Sequence, residues 1–285
     1  MKSKIYNAWF IAPLLVVFAT LFVIPMFISF FFSLTIWNLF DFRFAGLYNF
    51  KTFFSEYSLN IGIRNTLIYS IMTSGLKVII ALALAVLLTS PIKSKNAVRS
   101  IVFFPNLVST VAVGITFTSL MHPTKGLFNI MLAKIGLEGP YWLGNPDLAL
   151  FSVIGTDVWK GLSVATVIYI AGLQAIPETY YEAASIDGAS TWHRFKFITF
   201  PLVRSSMNSV IILSFIGGIR SFELIWTMTR GGPGFATDTL ASIIYKQYAM
   251  GFFGLSTAGN VILFLYIVIL VFPLQRFLFS REVDL

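Results

Sequence analysis

The chain has 285 residues, of which 57% are hydrophobic and only 11% are charged, and its formal net charge is +8. Soluble domains carry about 25% charged residues, so this chain is too apolar to cover a soluble core with polar groups. Its basic residues are scattered between apolar segments, which indicates membrane orientation rather than nucleic-acid binding. Cysteine is absent, which excludes a disulfide framework and thiol chemistry.

Apolar segments long enough to cross a bilayer, which takes about 20 residues, recur along the chain. They lie near 8–33, 65–90, 98–121, 149–173, 204–228 and 257–279. The first is too long for a signal peptide and lacks a small-x-small cleavage site after it, so we expect a retained first helix. The sequence therefore predicts an all-α membrane protein with six transmembrane helices, forming a single domain over 1–285.

Lysine and arginine predict the orientation, because cytoplasmic segments are enriched in both. With a cytoplasmic N-terminus, the inside segments carry these residues at higher density than the outside segments. We therefore expect both termini, and the segment 178–201, to lie in the cytoplasm. The inside residues are Lys2, Lys4, Lys93, Lys95, Arg99, Arg194, Lys196, Arg204, Arg276 and Arg281.

The segment 178–201, hereafter the 178–201 loop, reads ETYYEAASIDGASTWHRFKFITFP. Pro177 precedes it and is expected to break the preceding helix. Thr179-x-x-Glu182 fits a capping box, in which each side chain bonds the other residue's backbone N–H. This pattern predicts about two helical turns from Tyr180 to Asp187.

The second half of the loop predicts another short helix. Gly188 suits a left-handed helix end, and Ser190 is expected to cap a helix that runs to Phe200 and ends at Pro201. The small residues around the elbow would let another backbone approach closely. By pattern alone, the loop is either a docking hairpin for another protein or a hairpin on the membrane surface. The apolar face for the second alternative would be Trp192, Phe195, Phe197 and Ile198.

A resemblance to a known family favours the docking interpretation. Glu182-Ala183-Ala184-x-x-Asp187-Gly188-Ala189, followed by Phe195 and by Pro201-Leu202, resembles the EAA loop of permease subunits of binding-protein-dependent ABC importers. In that family the loop is a cytoplasmic coupling helix that inserts into a cleft of the ATPase subunit. The resemblance implies that Glu182, Ala183, Ala184, Asp187, Gly188 and Ala189 couple this chain to an ATPase.

Other segments are similar to the carbohydrate-uptake branch of that family. They are GLYNF at 46–50, Phe104-Pro105, Gly126-x-x-Asn129 and TRGGP at 229–233. The resemblance implies a subunit that forms half of a path for a sugar or oligosaccharide in a bacterial or archaeal cytoplasmic membrane. It implies as partners a second and different permease, two ATPase subunits that bind ATP and Mg, and an external solute-binding protein.

The sequence itself carries no sign of an enzyme. No G-x-x-x-x-G-K-[ST] loop occurs, so any ATP would be bound by partner subunits and we expect no cofactor on this chain. His122 and His193 lie far apart, and neither belongs to a Ser/His/Asp or metal-ligand pattern. A second class of function stays open, namely a non-transport membrane enzyme or assembly factor that uses the same loop for docking.

Charged residues within the apolar segments are expected to face the interior of the helix bundle or a cavity rather than lipid. Asp157 and Lys160 are three residues apart, as are Arg220 and Glu223, so each pair would share a helix face and form an ion pair. Lys77 is a further charge in a predicted span. These groups either hold helices together or line a polar path.

A sugar path needs hydrogen-bonding groups and aromatic ring faces. The candidates are Asn106, Trp159, Glu223 and Trp226, and core packing or interface anchoring is the alternative role for each. A phosphate-bearing solute would require several converging cations, whereas the sequence shows isolated ones. A neutral sugar is therefore favoured, and glycerol phosphate or another small polar solute is the second possibility.

Overall fold

The computed structural model describes residues 8–38, 40–90 and 95–280, and these are overwhelmingly helical, which confirms the predicted all-α class. A small antiparallel hairpin, β1 (Thr35–Trp37) and β2 (Phe42–Phe44), pairs Thr35 with Phe44. Ala8–Ile11 is a 3₁₀ turn, and Ala19–Val23 and Phe195–Thr199 are π-helical. The α-helices are α1 (Ala12–Phe18), α2 (Ile24–Ser33), α3 (Tyr48–Ser55), α4 (Tyr57–Thr89), α5 (Lys95–Leu107), α6 (Thr110–Leu120), α7 (Leu127–Lys134), α8 (Pro146–Gln174), α9 (Glu178–Ile186), α10 (Thr191–Arg194), α11 (Phe200–Leu202), α12 (Arg204–Ile219), α13 (Glu223–Met228), α14 (Leu240–Ala249) and α15 (Phe253–Phe279).

Four helical segments within the described residues are long and apolar enough to cross a membrane: Trp9–Ser33, α4, α8 and α15. Two bent helix pairs raise the number to six when each pair is counted as one span. Trp9–Ser33 contains no charged residue, and none of the residues in its most hydrophobic stretch is buried within the chain, as is typical of a membrane-spanning helix.

The predicted span near 98–121 is not one continuous helix. It consists of α5 and α6, which are bent by 104° at a break formed by Val108 and Ser109, hereafter the corner. Pro105 lies inside the last turn of α5 and cannot donate a backbone hydrogen bond there. The Ser109 side chain then accepts from the backbone N–H of Ala112 at 3.2 Å and starts α6.

The predicted span near 204–228 also differs from the structure. Its continuous helix, α12, ends at Ile219, and α13 is a separate helix that begins at Glu223. Gly217 and Gly218 precede this end, and glycine is a poor helix former. At its other end, α12 is bent by 63° relative to Thr191–Leu202, the second half of the 178–201 loop, and these two segments form the second bent pair.

The described residues divide into two compact units. The smaller comprises the chain up to Asn60 together with Ile243–Leu265. Within it, the Asn49 amide Nδ2 donates to the carbonyl oxygens of Ser33 at 2.9 Å and Thr35 at 2.7 Å. This buried amide joins the end of α2 to the hairpin, and it gives the asparagine of the GLYNF segment a structural role.

The larger unit comprises Ile61–Ser242 and the residues after Leu265, and it contains the 178–201 loop and all four candidate path residues. Two clusters of buried side chains lie within it. One surrounds Tyr69, Val153 and Ile225, and the other surrounds Ala85, Tyr169 and Val210. Lys2, Lys4, Lys93, Arg281 and the Lys95 side chain, on which the predicted orientation partly rests, lie outside the described residues.

Candidate functional site: the 178–201 loop and the polar path

The first helix of the 178–201 loop begins without the predicted capping box. Pro177 occupies the N-cap position with φ −59° and ψ 134°, and no side chain caps the helix. Thr179 therefore lies inside the first turn rather than at its cap. The fixed φ of proline already supplies the extended N-cap backbone, so the helix begins at Glu178, whose carboxylate stands at the favourable positive end of the helix.

The elbow of the loop has the geometry that the sequence predicts. Gly188 has φ +73°, in the left-handed region that glycine tolerates. The N–H of Ala189 bonds to the carbonyl of Ala184 at 2.9 Å, and that of Gly188 bonds to the carbonyl of Ser185 at 3.1 Å. These two hydrogen bonds form a Schellman motif, which satisfies the last carbonyls of α9.

The second helix begins as predicted but does not end at Pro201. The Ser190 hydroxyl accepts from the backbone N–H of His193 at 3.3 Å and caps α10. The chain then passes through the π-helical turn Phe195–Thr199 into α11, where Pro201 lies near the first position and is tolerated. The helical path therefore continues to Leu202, and the chain bends at Val203.

Side-chain hydrogen bonds brace the two arms of the loop against each other. The hydroxyl groups of Tyr181 and Thr199 lie 3.0 Å apart, and Thr199 is buried. The Arg194 guanidinium donates to the Ser185 hydroxyl at 3.1 Å, and this hydroxyl donates to the Tyr181 carbonyl at 2.7 Å. The arms are therefore held at a defined angle, which is what a rigid docking element requires.

The outer surface of this elbow is open. Ile186 is 88% exposed and Trp192 is 70% exposed, which is unusual for large apolar side chains in so short a segment. A hollow of about 570 Å³ lies at the elbow between the two arms. Its lining includes four of the six predicted coupling residues, namely Ala184, Asp187, Gly188 and Ala189. Glu182 and Ala183 lie on α9 and are exposed.

Three of the four candidate path residues, Trp159, Glu223 and Trp226, lie on helices that pack against α6. Trp159 on α8 is 39% exposed, and its ring centroid lies 5.1 Å from that of Phe117 on α6. Trp226 on α13 is half-buried and stacks on Phe222 at 5.7 Å. Glu223 is exposed at the start of α13, which packs closely against α6.

Asn106 is placed differently from the other three candidates. It is exposed in the last turn of α5, before the corner, whereas the packing partners of Trp159 and of α13 lie on α6, after it. Asn106 therefore lies before the break in the third span, and Trp159 and Trp226 lie on helices that pack against the part after it.

The predicted ion pair between Asp157 and Lys160 is wrong. Asp157 pairs instead with Lys77 of α4, whose Nζ lies 2.8 Å from Oδ2, and both side chains are largely buried. Lys77 also lies against Gly161, where a Cβ atom would come within 2.4 Å of Lys77 Cε. The three-residue spacing correctly indicated that Asp157 and Lys160 share a face of α8, but it could not indicate that Lys77 of α4 lies closer to Asp157. The Lys160 ammonium donates to the carbonyl of Val108 at 2.8 Å.

The predicted pair of Arg220 and Glu223 is also wrong, and the cause is local. α12 ends at Ile219 and α13 begins at Glu223, so the three-residue spacing does not lie on one helix. Both residues are described and exposed, and no N–O distance within 4.0 Å joins their charged groups.

The structure adds a polar network that the sequence did not indicate. The Asn65 amide donates to the carbonyls of Phe235, Ala236 and Asp238 at 3.3, 3.1 and 2.9 Å. These bonds hold the segment directly after TRGGP. In TRGGP itself Gly231 has a positive φ and the Gly232–Pro233 bond is cis, and Gly234, which follows it, also has a positive φ. The glycine-rich motif supplies these backbone angles, but nothing in the sequence connects it to Asn65, 170 or more residues away.

Within residues 8–38, 40–90 and 95–280, no group of three or more His, Asp or Glu side chains is placed to hold a metal ion.

Comparison with known proteins decides between the two classes of function. Residues 77–283 match the family described as binding-protein-dependent transport system inner membrane component. The chain belongs to this family. It is therefore a multi-pass transport permease, and the EAA resemblance of the 178–201 loop lies inside the matched residues.

Relatives of this permease support the same assignment. It is 34% identical over 260 residues to the trehalose/maltose transport system permease protein MalF of Thermococcus litoralis, covering 90% of this chain and 88% of the relative. It is 30% identical to the arabinooligosaccharides transport system permease protein AraP of Bacillus subtilis, covering 91% and 84%.

A solved structure has the same fold as this permease. It is a bacterial ABC transporter involved in the import of the acidic polysaccharide alginate, and the match has a TM-score of 0.81 with 23% identity over 94% of this chain and 93% of the other. At this identity the likeness supports the fold.

Proposed function

We propose that this permease imports a neutral sugar or oligosaccharide, forming half of the translocation path with a second, different permease subunit. The relatives named for trehalose/maltose and for arabinooligosaccharides support this substrate class. The observation that favours a neutral solute is the state of two lysines in the spans. Lys77 is paired with Asp157, and Lys160 donates to backbone carbonyls, so neither is free to bind an anionic group.

The proposed mechanism is alternating access driven by two partner ATPase subunits, which bind ATP and Mg. The rigid, braced elbow of the 178–201 loop docks into an ATPase cleft and transmits its closure to α12, which follows directly after the bend at Val203. The helices around α6 then open outward to accept solute from an extracytoplasmic binding protein. A binding protein is part of the complex in one solved alginate transporter of the same fold.

The coupling role belongs to the elbow residues Asp187, Gly188 and Ala189, with Ala184 beneath them and Glu182 and Ala183 beside them on α9. In the translocation path, Trp159 and Trp226 would present ring faces to the solute, while Asn106 and Glu223 would offer hydrogen bonds. In the proposed orientation, both termini and the 178–201 loop lie on the cytoplasmic side.

The test is substrate-stimulated ATP hydrolysis by the assembled transporter. The tagged chain is purified with its associated subunits, reconstituted in lipid nanodiscs, and assayed with its binding protein over a panel of neutral disaccharides, oligosaccharides, uronic acids and glycerol 3-phosphate. We expect stimulation by a neutral saccharide. Stimulation confined to an acidic sugar or to glycerol 3-phosphate would overturn the substrate class.

Orientation is tested separately, and the absence of cysteine makes the test direct. Single cysteines replace the exposed residues Ile186 and Trp192 in the permease expressed without its ATPase subunits, which would otherwise cover the elbow, and are treated with a membrane-impermeant maleimide. We expect labelling in inside-out vesicles and not in intact cells. The opposite pattern would reverse the proposed topology.

A further inference from the structure

The corner leaves backbone carbonyl groups without helical hydrogen-bond partners inside a predicted membrane span. α5 ends at Leu107, α6 begins at Thr110, and the bend between them is 104°. The last carbonyls of a helix have no partner within it. In a bilayer, broken helices persist only where other protein groups or enclosed water satisfy these carbonyls, since lipid offers no donor. The corner therefore requires donors from outside α5.

Those donors come from one face of α8. The Lys160 ammonium donates to the carbonyl of Val108 at 2.8 Å and lies 3.5 Å from that of Pro105. Three residues further along, the buried Ser163 hydroxyl donates to the carbonyl of Val102 at 2.8 Å. Residues three apart lie on the same helix face, so α8 presents two donors to α5, Lys160 at the corner and Ser163 more than one turn before it.

The positive charge of Lys160 is balanced by the C-terminal end of α5. The nearby carboxylate of Asp157 is already paired with Lys77 at 2.8 Å. Within the described part of the chain, no carboxylate lies within 4.0 Å of the Lys160 ammonium. The C-terminus of a helix carries a partial negative charge, which a cation stabilises. Lys160 thus neutralises the end of α5 rather than an acidic side chain.

The angle at the corner determines where the next elements lie. Ser109 caps α6 directly after the break, and Gly114 on α6 lies against α13. A Cβ atom on Gly114 would come within 2.8 Å of Thr227 Cγ2, so α6 and α13 are in close contact. A change in the corner would therefore move α13, which carries Glu223 and Trp226.

We propose that Lys160 is a positioning residue for transport: its ammonium fixes the corner of the third span and thereby places α6 and α13. The inference rests on membership of the permease family and does not depend on which solute is carried. Lys160 acts through the backbone of α5 and does not touch the solute.

The test measures the corner directly. In the cysteine-free full chain, spin labels on cysteines at Ile101 and Ser119, which are both exposed, report the distance across the break. Lys160→Met keeps the side-chain length and removes the charge, and Lys160→Arg keeps the charge. Lys134→Met is the matched control on an exposed lysine of α7.

We expect Lys160→Met to shift the mean distance beyond the width of the wild-type distribution, whereas Lys160→Arg and Lys134→Met retain the wild-type distance. In the assembled transporter, Lys160→Met should lower substrate-stimulated ATP hydrolysis by roughly tenfold, as expected from loss of a charge-assisted hydrogen bond. Wild-type distances in Lys160→Met, or an equal shift in Lys134→Met, would overturn the proposal.

If Lys160→Met does not accumulate in the membrane, Lys160→Gln provides the decisive measurement, since its shorter, neutral amide cannot replace the charge. A wild-type distance in Lys160→Gln would also overturn the proposal. Failure here is distinct from failure of the proposed function: the distances report the corner, whereas the saccharide panel reports the solute.

Discussion

The 178–201 loop and the corner at 108–109 both interrupt helical spans, but different contacts stabilise them. The hydrogen bonds that shape the loop join residues at most 18 positions apart in sequence. The corner is held by a donor 52 residues away, the Lys160 ammonium, and α5 receives a second donor from Ser163, 61 residues from its acceptor Val102. A turn that is stabilised by nearby residues can be predicted from a sequence motif. A turn that is stabilised by another helix cannot be predicted in this way, because its partners are distant in sequence.

The largest expected effect tests whether the elbow of the loop is a docking surface. Gly188→Asp places a charged side chain at φ +73° on the open surface, and we expect sugar uptake to fall by at least about tenfold with the permease still in the membrane. Uptake and co-purification of the ATPase subunits are both measured.

Gly136→Asp is the matched control for that change. Gly136 has φ +78° and open space around its Cα, as Gly188 does, but it lies after α7, outside the loop. It should therefore impose a similar backbone strain without blocking an ATPase. If both variants lose uptake equally, the loss at Gly188 reflects strain and the docking interpretation fails.

The next effect concerns the long-range pair of Lys77 and Asp157. Either single change, Lys77→Met or Asp157→Asn, breaks a largely buried ion pair and is expected to cost about 3–5 kcal/mol of stability. The double variant should be closer to the wild type, because it leaves no uncompensated charge. Thermal unfolding of the purified variants measures this, and a double variant as unstable as the sum of the singles would contradict the pairing.

A smaller effect is expected for the aromatic path residues. Trp159→Ala and Trp226→Ala should lower substrate-stimulated ATP hydrolysis by roughly tenfold, the effect of losing about 1.4 kcal/mol of solute contact, with little change in the basal rate. Trp142→Ala is the packing control, because its indole Nε1 donates to Asn129 Oδ1 at 2.6 Å and it packs against a core cluster. Equal basal and stimulated losses at Trp159 or Trp226 would assign that residue to packing.

The smallest effect on stability is expected at Arg220 and Glu223. Their charged groups do not form an ion pair with each other, in contrast to those of Lys77 and Asp157. Arg220 and Glu223 are both exposed, so neutral replacement by glutamine should change stability by about 0.5 kcal/mol or less for each. The two changes should also be additive within about 0.5 kcal/mol. A coupling energy well above this value would show that the two charges interact in the membrane.

The sequence by itself determined the class of the protein and the elbow of its loop. An 11% charged composition with long apolar segments can be satisfied only in a membrane, whatever the tertiary contacts. The elbow could be predicted because a glycine at a positive φ and a serine cap act within a few residues. The predicted capping box does not form, because Pro177 occupies the N-cap position and the helix begins two residues before Tyr180.

Local residues such as Pro105 and Gly217–Gly218 favour breaks in the third and fifth predicted spans, but tertiary structure decided which partners the charges within those spans meet. Hydropathy averages over a window, so it does not distinguish a straight helix from two helices joined at a corner. Likewise, the spacing of Asp157 and Lys160 places both on one face of α8, but α4 and α5 determine which groups they meet. Asp157 forms an ion pair with Lys77, and Lys160 donates to the carbonyl of Val108 at the end of α5. A charge in a low-dielectric interior requires a polar partner, and the packing of the helices determines which partner is near.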